Sequence, residues 1–350
     1  MRQRKPPHPD AARLLSLVDE FAGVRVAVFG DLIVDEFIYG AISRVSREAP
    51  VLILEYDSTE IVPGGAGNAA NNVAALGGVA SAIGVVGQDE AGTRLIEAMK
   101  RRIDVRGLVR PRALATPTKT RILAGGVHSA KQQVVRIDRA ARAPISDGDR
   151  RAVESKLFAA MSRSDALLVS DYGTGLVTPA LVAAAQKRIK GPGRRQPPVL
   201  VDSRYALLRF RGMTSCTPNE SEVEHLLGVR IGDNARVLEK AGRELLRRTR
   251  AEAMLITRGS RGMALFEPDR PTVHIPVFGS DQIADVTGAG DTVIATMTLA
   301  LACGGTFEDA ARLANYAGGL VVMKRGTATA TADELRQAVL SDLDSSGARA

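Results

Sequence analysis

Short β-rich apolar runs alternate along this chain with segments patterned as helices, and that alternation restricts the available folds more than any other feature. The runs are Val24 to Phe29, Ala82 to Val86, Ala166 to Val169, Val199 to Val201 and Met254 to Ile256, and helical periodicity covers Ala152 to Met161, Pro179 to Ile189 and Val237 to Arg248. Strands separated by helices are joined by crossovers, which makes neighbouring strands parallel and covers both faces of their sheet. Two regions break the rhythm: Phe37 to Ile61 and Thr118 to Asp138 read as β segments with polar alternation and no helix between them, so a small second sheet is expected beside the main one. Such a sheet serves either as a lid that excludes water or as a dimer surface. Neither a repeat nor a linker divides the 350 residues; Gly191-Pro192-Gly193 with Pro197-Pro198 is the sole Pro/Gly-rich patch. The expectation is one α/β domain over 21–341, with 1–20 as an amino-terminal extension and 342–350 as a tail.

Composition excludes several function classes. Hydrophobic residues at 45% and charged residues at 25% are those of an ordinary globular protein. Cys216 and Cys303 cannot build a disulfide framework, and no C-x-x-C spacing offers zinc ligands, so both read as thiols in a reducing cytosol. The apolar stretch from Ala11 meets Asp19 and Glu20 before it could form a signal-peptide core. The longest uncharged run, Thr292 to Phe307, falls short of the roughly 20 residues that cross a bilayer and reads as a buried helix. A formal net charge of +8 invites a nucleic-acid partner. The basic residues are scattered, however, and aromatic residues for base stacking make up only 4%, so solvated helix faces explain the charge better.

The most informative stretch is Asp285-Val286-Thr287-Gly288-Ala289-Gly290-Asp291, which joins a β-rich segment to the uncharged helix. Glycines let backbone N–H groups converge, and a helix amino terminus adds positive dipole character, so a phosphate is the natural guest. Asp291 falls in the first turn, placed to take a proton from a hydroxyl aimed at that phosphate. Thr217-Pro218-Asn219-Glu220-Ser221-Glu222 puts Asn219 and Glu222 three apart on one helix face; the pair can orient waters around Mg²⁺ or simply form a cap, and spacing alone favours the cap. Pro63 to Asn68 permits close approach to the backbone ahead of a small-residue helix. Asp31 and Asp35 follow the first strand, where ligands of open α/β sheets bind. Thr257 to Gly262 follows a buried strand and suits nucleotide phosphate or ribose, or a plain turn. P-loop, Rossmann, protein-kinase, zincin and α/β-hydrolase signatures are missing.

In this order the motifs resemble the ribokinase-like, or PfkB, carbohydrate kinase family over about Val24 to Leu340. Within it the chain is most similar to kinases that phosphorylate D-glycero-β-D-manno-heptose 7-phosphate at C1 in ADP-heptose biosynthesis. That likeness is carried by Ser43 to Pro50, Pro63 to Asn68, Gln132 to Asp138, Ser170-Asp171-Tyr172 and Ala284 to Val293. The resemblance implies a mainly parallel sheet flanked by helices, a β lid at 37–61 and 118–138, and a homodimer sharing that lid. It implies Asp291 as catalytic base, with Gly288, Ala289 and Gly290 as anion hole. Asp35, Gly64, Gly65, Asn68, Arg136 and Asp171 would bind the sugar; Thr257, Gly259, Gly262 and Asn315 would line the ATP pocket; Asn219 and Glu222 would organise Mg²⁺; and the loop from Asp285 would hold a monovalent cation such as K⁺. Two departures stand out. Ser170 to Gly175 carries Thr174 where the heptose kinases read S-D-Y-A-K-G, and Asp202-Ser203-Arg204 replaces D-P-K. The chain ends near residue 350, too early for the nucleotidyltransferase domain of the bifunctional form, so the kinase step alone is expected. Rival readings are a kinase for another sugar, sugar phosphate or nucleoside, and a non-catalytic sugar or nucleotide sensor.

Overall fold

The computed structural model describes residues 11–125, 131–140, 144–188, 196–279, 285–324 and 326–347; Gly191-Pro192-Gly193, Ala284 and 126–130 of the expected lid lie outside them. Helix α1 (Ala11–Glu20) leads into β1 (Arg25–Gly30), and β2 (Leu32–Val45) and β3 (Leu52–Gly65) follow. Next come α2 (Ala66–Ala75), β4 (Val79–Val85), α3 (Glu90–Met99), β5 (Asp104–Val109), β6 (Thr118–Gly125) and β7 (Gln132–Arg139). The middle of the chain contributes α4 (Asp147–Met161), β8 (Ala166–Asp171), α5 (Pro179–Arg188), β9 (Val199–Ser203), β10 (Ser215–Cys216), α6 (Glu220–Leu227) and α7 (Ala235–Thr249). The last third holds β11 (Ala253–Thr257), β12 (Met263–Phe266), β13 (Val273–Ile275), α8 (Ala289–Ala302), α9 (Phe307–Val322) and α10 (Ala332–Gly347).

The main sheet has nine strands in the order β13-β12-β11-β10-β9-β8-β1-β4-β5. From β11 to β5 every pairing is parallel, and β12 and β13 extend one edge antiparallel. Its central strands are apolar at successive positions because both faces are covered: Val26 and Val28 of β1 pack in one core with α2, α8 and α9, and Ala27 and Phe29 in the other with α4, α5 and α7. Helix α1 falls in the expected extension, yet buries Leu14, Leu17 and Val18 in the first of these cores. The expected buried helix is α8, whose residues from Asp291 to Leu301 are all buried. Its threonines fit there because Thr296 and Thr298 donate to the carbonyls of Thr292 and Ile294, at 2.8 and 2.7 Å.

The second sheet is the lid, ordered β3-β2-β6-β7. It begins closer to the main sheet than the polar alternation suggested: β2 and β3 pair from Leu32↔Gly65 onward, which places Asp35 and Gly64 in strands rather than loops. Cross-strand partners share a face. The register Asp35↔Lys119, Phe37↔Arg121, Arg121↔Arg136 and Lys119↔Asp138 therefore puts Lys119, Arg121 and Arg136 on the same side of the lid as Asp35 and Asp138.

Gly30 marks the point where the chain leaves the main sheet for the lid. A Cβ there would lie 2.0 Å from the Ser170 carbonyl oxygen of the neighbouring central strand. Gly30→Ala therefore forces β1 and β8 apart, and urea denaturation should show a loss of about 1–3 kcal/mol. An unchanged midpoint would contradict the crossing geometry.

Candidate active site

Helix α8 starts without a side-chain cap. Gly288, in the left-handed region at φ 80°, is its N-cap residue, and the backbone N–H groups of Gly288, Gly290 and Asp291 have no hydrogen bond among the described residues. Ala289, expected with the two glycines in the anion hole, instead donates to the Val286 carbonyl at 3.3 Å. A Cβ on Gly290 would meet nothing within 4 Å among the described residues, so the space beside that glycine is open. Unpaired donors facing open space at a helix amino terminus form an anion cradle.

Asp291 lies in the first turn of this helix, only 4% exposed. Asn68 Nδ2 donates to its Oδ2 at 2.7 Å and the Tyr172 hydroxyl reaches its Oδ1 at 3.4 Å. Burial pushes the Asp291 carboxyl up to about 7, and Asp35 adds to the rise; the hydrogen bonds from Asn68 and Tyr172 and the charge of Lys119 oppose it. Gly288 is required for the Asn68 contact, since a Cβ there would stand 2.6 Å from Asn68 Nδ2. The first turn of α2 holds Asn68 because β3 converts directly to helix at Gly65, at φ 57°. The glycine pair also admits β2: Cβ atoms on Gly64 and Gly65 would lie 2.3 Å from Asp35 Oδ2 and 2.4 Å from the Asp31 carbonyl oxygen.

Opposite stands the charged face of the lid. Arg121 Nη1 pairs with Asp35 Oδ1 at 2.5 Å, both side chains largely buried, and Arg136 makes a bidentate pair with Asp138 at 2.7 Å. Lys119 Nζ lies 5.0 Å from the centroid of the Tyr172 ring and has no salt bridge among the described residues. Its amine is held below the ordinary lysine range, first by burial and then by Arg136, Arg204 and Arg121, with Asp35 opposing. Arg204 also lacks a salt bridge among the described residues. Two unpaired cations beside two paired ones leave room for an anion. The motifs gave no role to Lys119 and Arg121, which cross-strand register brings here, and named Asp202 only within the stretch that replaces D-P-K.

The other expected site residues divide. Asp171 spends its carboxylate on structure, accepting from Gly173 N at 3.0 Å and Ser203 Oγ at 2.7 Å. Asp31 accepts from Tyr172 N and Thr174 N, and from Thr174 Oγ1 at 2.5 Å, so Thr174 braces the loop. Asn219 and Glu222 form a capping box on α6: Asn219 Oδ1 accepts from Glu222 N at 2.9 Å, and Glu222 Oε2 from Asn219 N at 3.0 Å. Glu222 Oε1 has no hydrogen bond among the described residues, and burial raises the Glu222 carboxyl. Asp202 is raised well above the carboxylate range by burial, then by Glu222, Asp291 and Asp171. Gly262 serves packing, since a Cβ would lie 2.1 Å from the Ile275 carbonyl oxygen, whereas the site beside Gly259 is open. Thr257 pairs with Asn219 in an isolated bridge, and Asn315 Nδ2 donates to the Pro276 carbonyl at 2.9 Å. Both thus hold backbone at the edge of the cleft.

Known proteins are similar to this chain in sequence or in fold. The bifunctional protein HldE of Geobacter metallireducens is 43% identical over 322 residues, covering 91% of this chain. HldE of Caulobacter vibrioides is 40% identical over 329 residues, covering 92%. The chain spans 64% and 65% of the lengths of these two relatives. Phosphofructokinase-2 from Escherichia coli, solved in complex with potassium, superposes with a TM-score of 0.72 at 20% identity, over 91% of this chain and 99% of that one. Arabidopsis thaliana ribokinase, solved with ribose and ATP, gives 0.66 at 19% identity, over 91% and 98%. These two share the fold. The sequence also matches the family described as pfkB family carbohydrate kinase over residues 25–334. With that match running from β1 into α10, the chain belongs to the pfkB family of carbohydrate kinases.

Proposed function

We propose that this chain is an ATP-dependent kinase that phosphorylates D-glycero-β-D-manno-heptose 7-phosphate at C1. The observation that carries the reading is the buried Asp291 carboxylate at the head of α8, next to unpaired amides and close enough to Asp35 for its charge to be felt. Asp291 accepts the proton of the attacking sugar hydroxyl, and the N–H groups of Gly288, Gly290 and Asp291 bind the oxygens on which charge develops. Asp35, at the base of the lid, accepts from a neighbouring hydroxyl and is paired with Arg121. Lys119, Arg136 and Arg204 supply the positive field for a phosphate already on the substrate, a task for which Thr174, tied to Asp31, has no charge.

The residues near the α8 amides fit a divalent ion. Glu222 keeps one carboxylate oxygen free, and the burial-raised Asp202 carboxylate accepts no hydrogen bond among the described residues, so the pair would hold Mg²⁺. When bound, that ion would offset the charge of the nucleotide phosphates. ATP would lie along the open side of Gly259, beside the edge held by Thr257 and Asn315, with the segment from Asp285 as the place for a K⁺ ion. A cytoplasmic location suits an ATP-dependent step, and among the described residues no helix is long and apolar enough to cross a membrane.

The relatives' remaining length makes the whole-protein activity a separate matter from the kinase step. The test is ADP release with Mg·ATP over a sugar panel. Turnover of the heptose 7-phosphate, with the unphosphorylated heptose at least tenfold poorer in kcat/KM, is expected; the reverse preference would favour an unphosphorylated substrate, as the exchange of lysine for Thr174 suggests. Nucleotide binding with no ADP release from any sugar would leave a sensor.

Asp291→Asn should bind ATP normally and lose several orders of magnitude in turnover. Because the folded carboxyl titrates near 7, the base is lost as pH falls. In the unsubstituted enzyme kcat/KM therefore declines below about pH 7, and a flat profile down to pH 5 would remove Asp291 from the base role.

The lid leaves Ile42, Val45, Val51, Leu52, Tyr56 and Ile137 exposed, Tyr56 by 70%. A second copy of the chain is the occupant that the family resemblance implies. Sedimentation should give a dimer, and Val45→Asp combined with Leu52→Asp should shift it to monomer; a monomer before substitution refutes the pairing.

A further inference from the structure

We propose that Asn72 and Thr292 are positioning residues for the phosphoryl-transfer step, acting as a relay that fixes which way the Asn68 amide points at Asp291. The inference rests on Asp291 as base. Asn68, Asn72 and Thr292 are buried, at 0% exposure for all three. Thr292 Oγ1 donates to Asn72 Oδ1 at 2.8 Å. Asn72 Nδ2 in turn donates to Asn68 Oδ1 at 3.1 Å and to the Asn68 carbonyl at 3.0 Å. Asn68 Nδ2 then donates to Asp291 Oδ2 at 2.7 Å.

Thr292 Oγ1 lies nearer Asn72 Oδ1, at 2.8 Å, than its other acceptor, the Gly288 carbonyl at 3.4 Å, and from there each link has one sense. A threonine hydroxyl has a single proton, and a primary amide presents donors on one side and an acceptor on the other. If Thr292 gives its proton to Asn72 Oδ1, Asn72 must present Nδ2 to Asn68, and Asn68 must then present Nδ2 to Asp291. Reversing Asn68 would set two acceptors, its Oδ1 and the Asp291 carboxylate, against each other in a buried site, which destabilises the ionised base. The relay is closed on itself by sequence spacing. Asn68 and Asn72 are four apart on α2, and Asp291 and Thr292 are adjacent on α8, so two helices packed together bring both ends of the chain of bonds into register.

Other charged or titratable groups also face Asp291: Asp35 from β2, Lys119 from β6, Tyr172 after β8 and Asp202 from β9. None of them touches Asn72 or Thr292 through a hydrogen bond among the described residues, so the relay can be altered while they stay in place.

The test compares Thr292→Val, which keeps the side-chain volume but removes the donor, with Thr292→Ser, which restores it. The Val variant is expected to lose on the order of tenfold in kcat, the usual scale for an outer hydrogen-bond partner. Its KM for ATP should be unchanged, and the acid limb of kcat/KM should move to higher pH; the Ser variant should match the unsubstituted enzyme in all three. Should Thr292→Val fail to fold by thermal denaturation, Thr292→Ala, a strong helix former, takes its place in the same comparison. Val or Ala variants that melt earlier but keep kcat and the pH profile would overturn the relay and leave these residues a purely structural role. Full activity in Asp291→Asn would instead overturn the base itself, so the two failures are separable.

Discussion

The passage from strand to helix at Gly65 sets the distance between the two halves of the cleft. The backbone there is left-handed, and any side chain would strike the Asp31 carbonyl, so β3 can enter α2 without a connecting loop. One continuous piece of chain thereby links the lid strand opposite Asp35 to the helix that carries Asn68. A longer connection would let the lid base drift from α8, and the Asp35 carboxylate would no longer lie near the anion cradle. Gly64, admitting Asp35 Oδ2, and Gly288, admitting the Asn68 amide, extend the same rule: each of these glycines stands where a polar atom comes close.

Burying a carboxylate at the head of α8 is costly, and the surroundings divide the cost rather than cancel it. Two hydrogen bonds and the nearby Lys119 favour the ionised form, while desolvation and Asp35 oppose it, which leaves Asp291 poised near neutrality. A base with that affinity takes a hydroxyl proton more readily than an exposed aspartate would. Asp202 and Glu222 lie on the acidic side and Lys119, Arg121 and Arg136 on the basic side, with Arg204 close enough to act on Asp202, Glu222 and Lys119 alike. The cleft thus has one end suited to a cation that accompanies nucleotide phosphates and another suited to an anion on the sugar.

The lid gathers its cations through register alone. Lys119 and Arg121 are two apart on β6, and Arg136 lies opposite Arg121 on β7, so the pleat turns all three to the face that holds Asp35. A slip by one residue would exchange this face for the one carrying Ile122, Val135 and Ile137. The charged face meets the cleft, while the edge beyond it displays the apolar residues suited to a second copy.

From the sequence by itself came the alternation of strands and helices, the separate lid, the buried α8 and the site motif ending in Asp291, because each is a local pattern with its own period or turn chemistry. The family resemblance added roles for Asn68, Asp35 and Gly64. The capping box of Asn219 and Glu222 follows the spacing that already favoured it, whereas only tertiary structure decided that Asp171 braces a loop and that the free amides are those of Gly288, Gly290 and Asp291 without Ala289. It alone brought Lys119, Arg121, Asn72 and Asp202 to the site, since their partners are distant in the chain and are set by strand register and helix packing. Local spacing shows which residues share a turn or a face; which of two chemically reasonable partners a carboxylate takes depends on what the rest of the fold brings within about 3 Å of it.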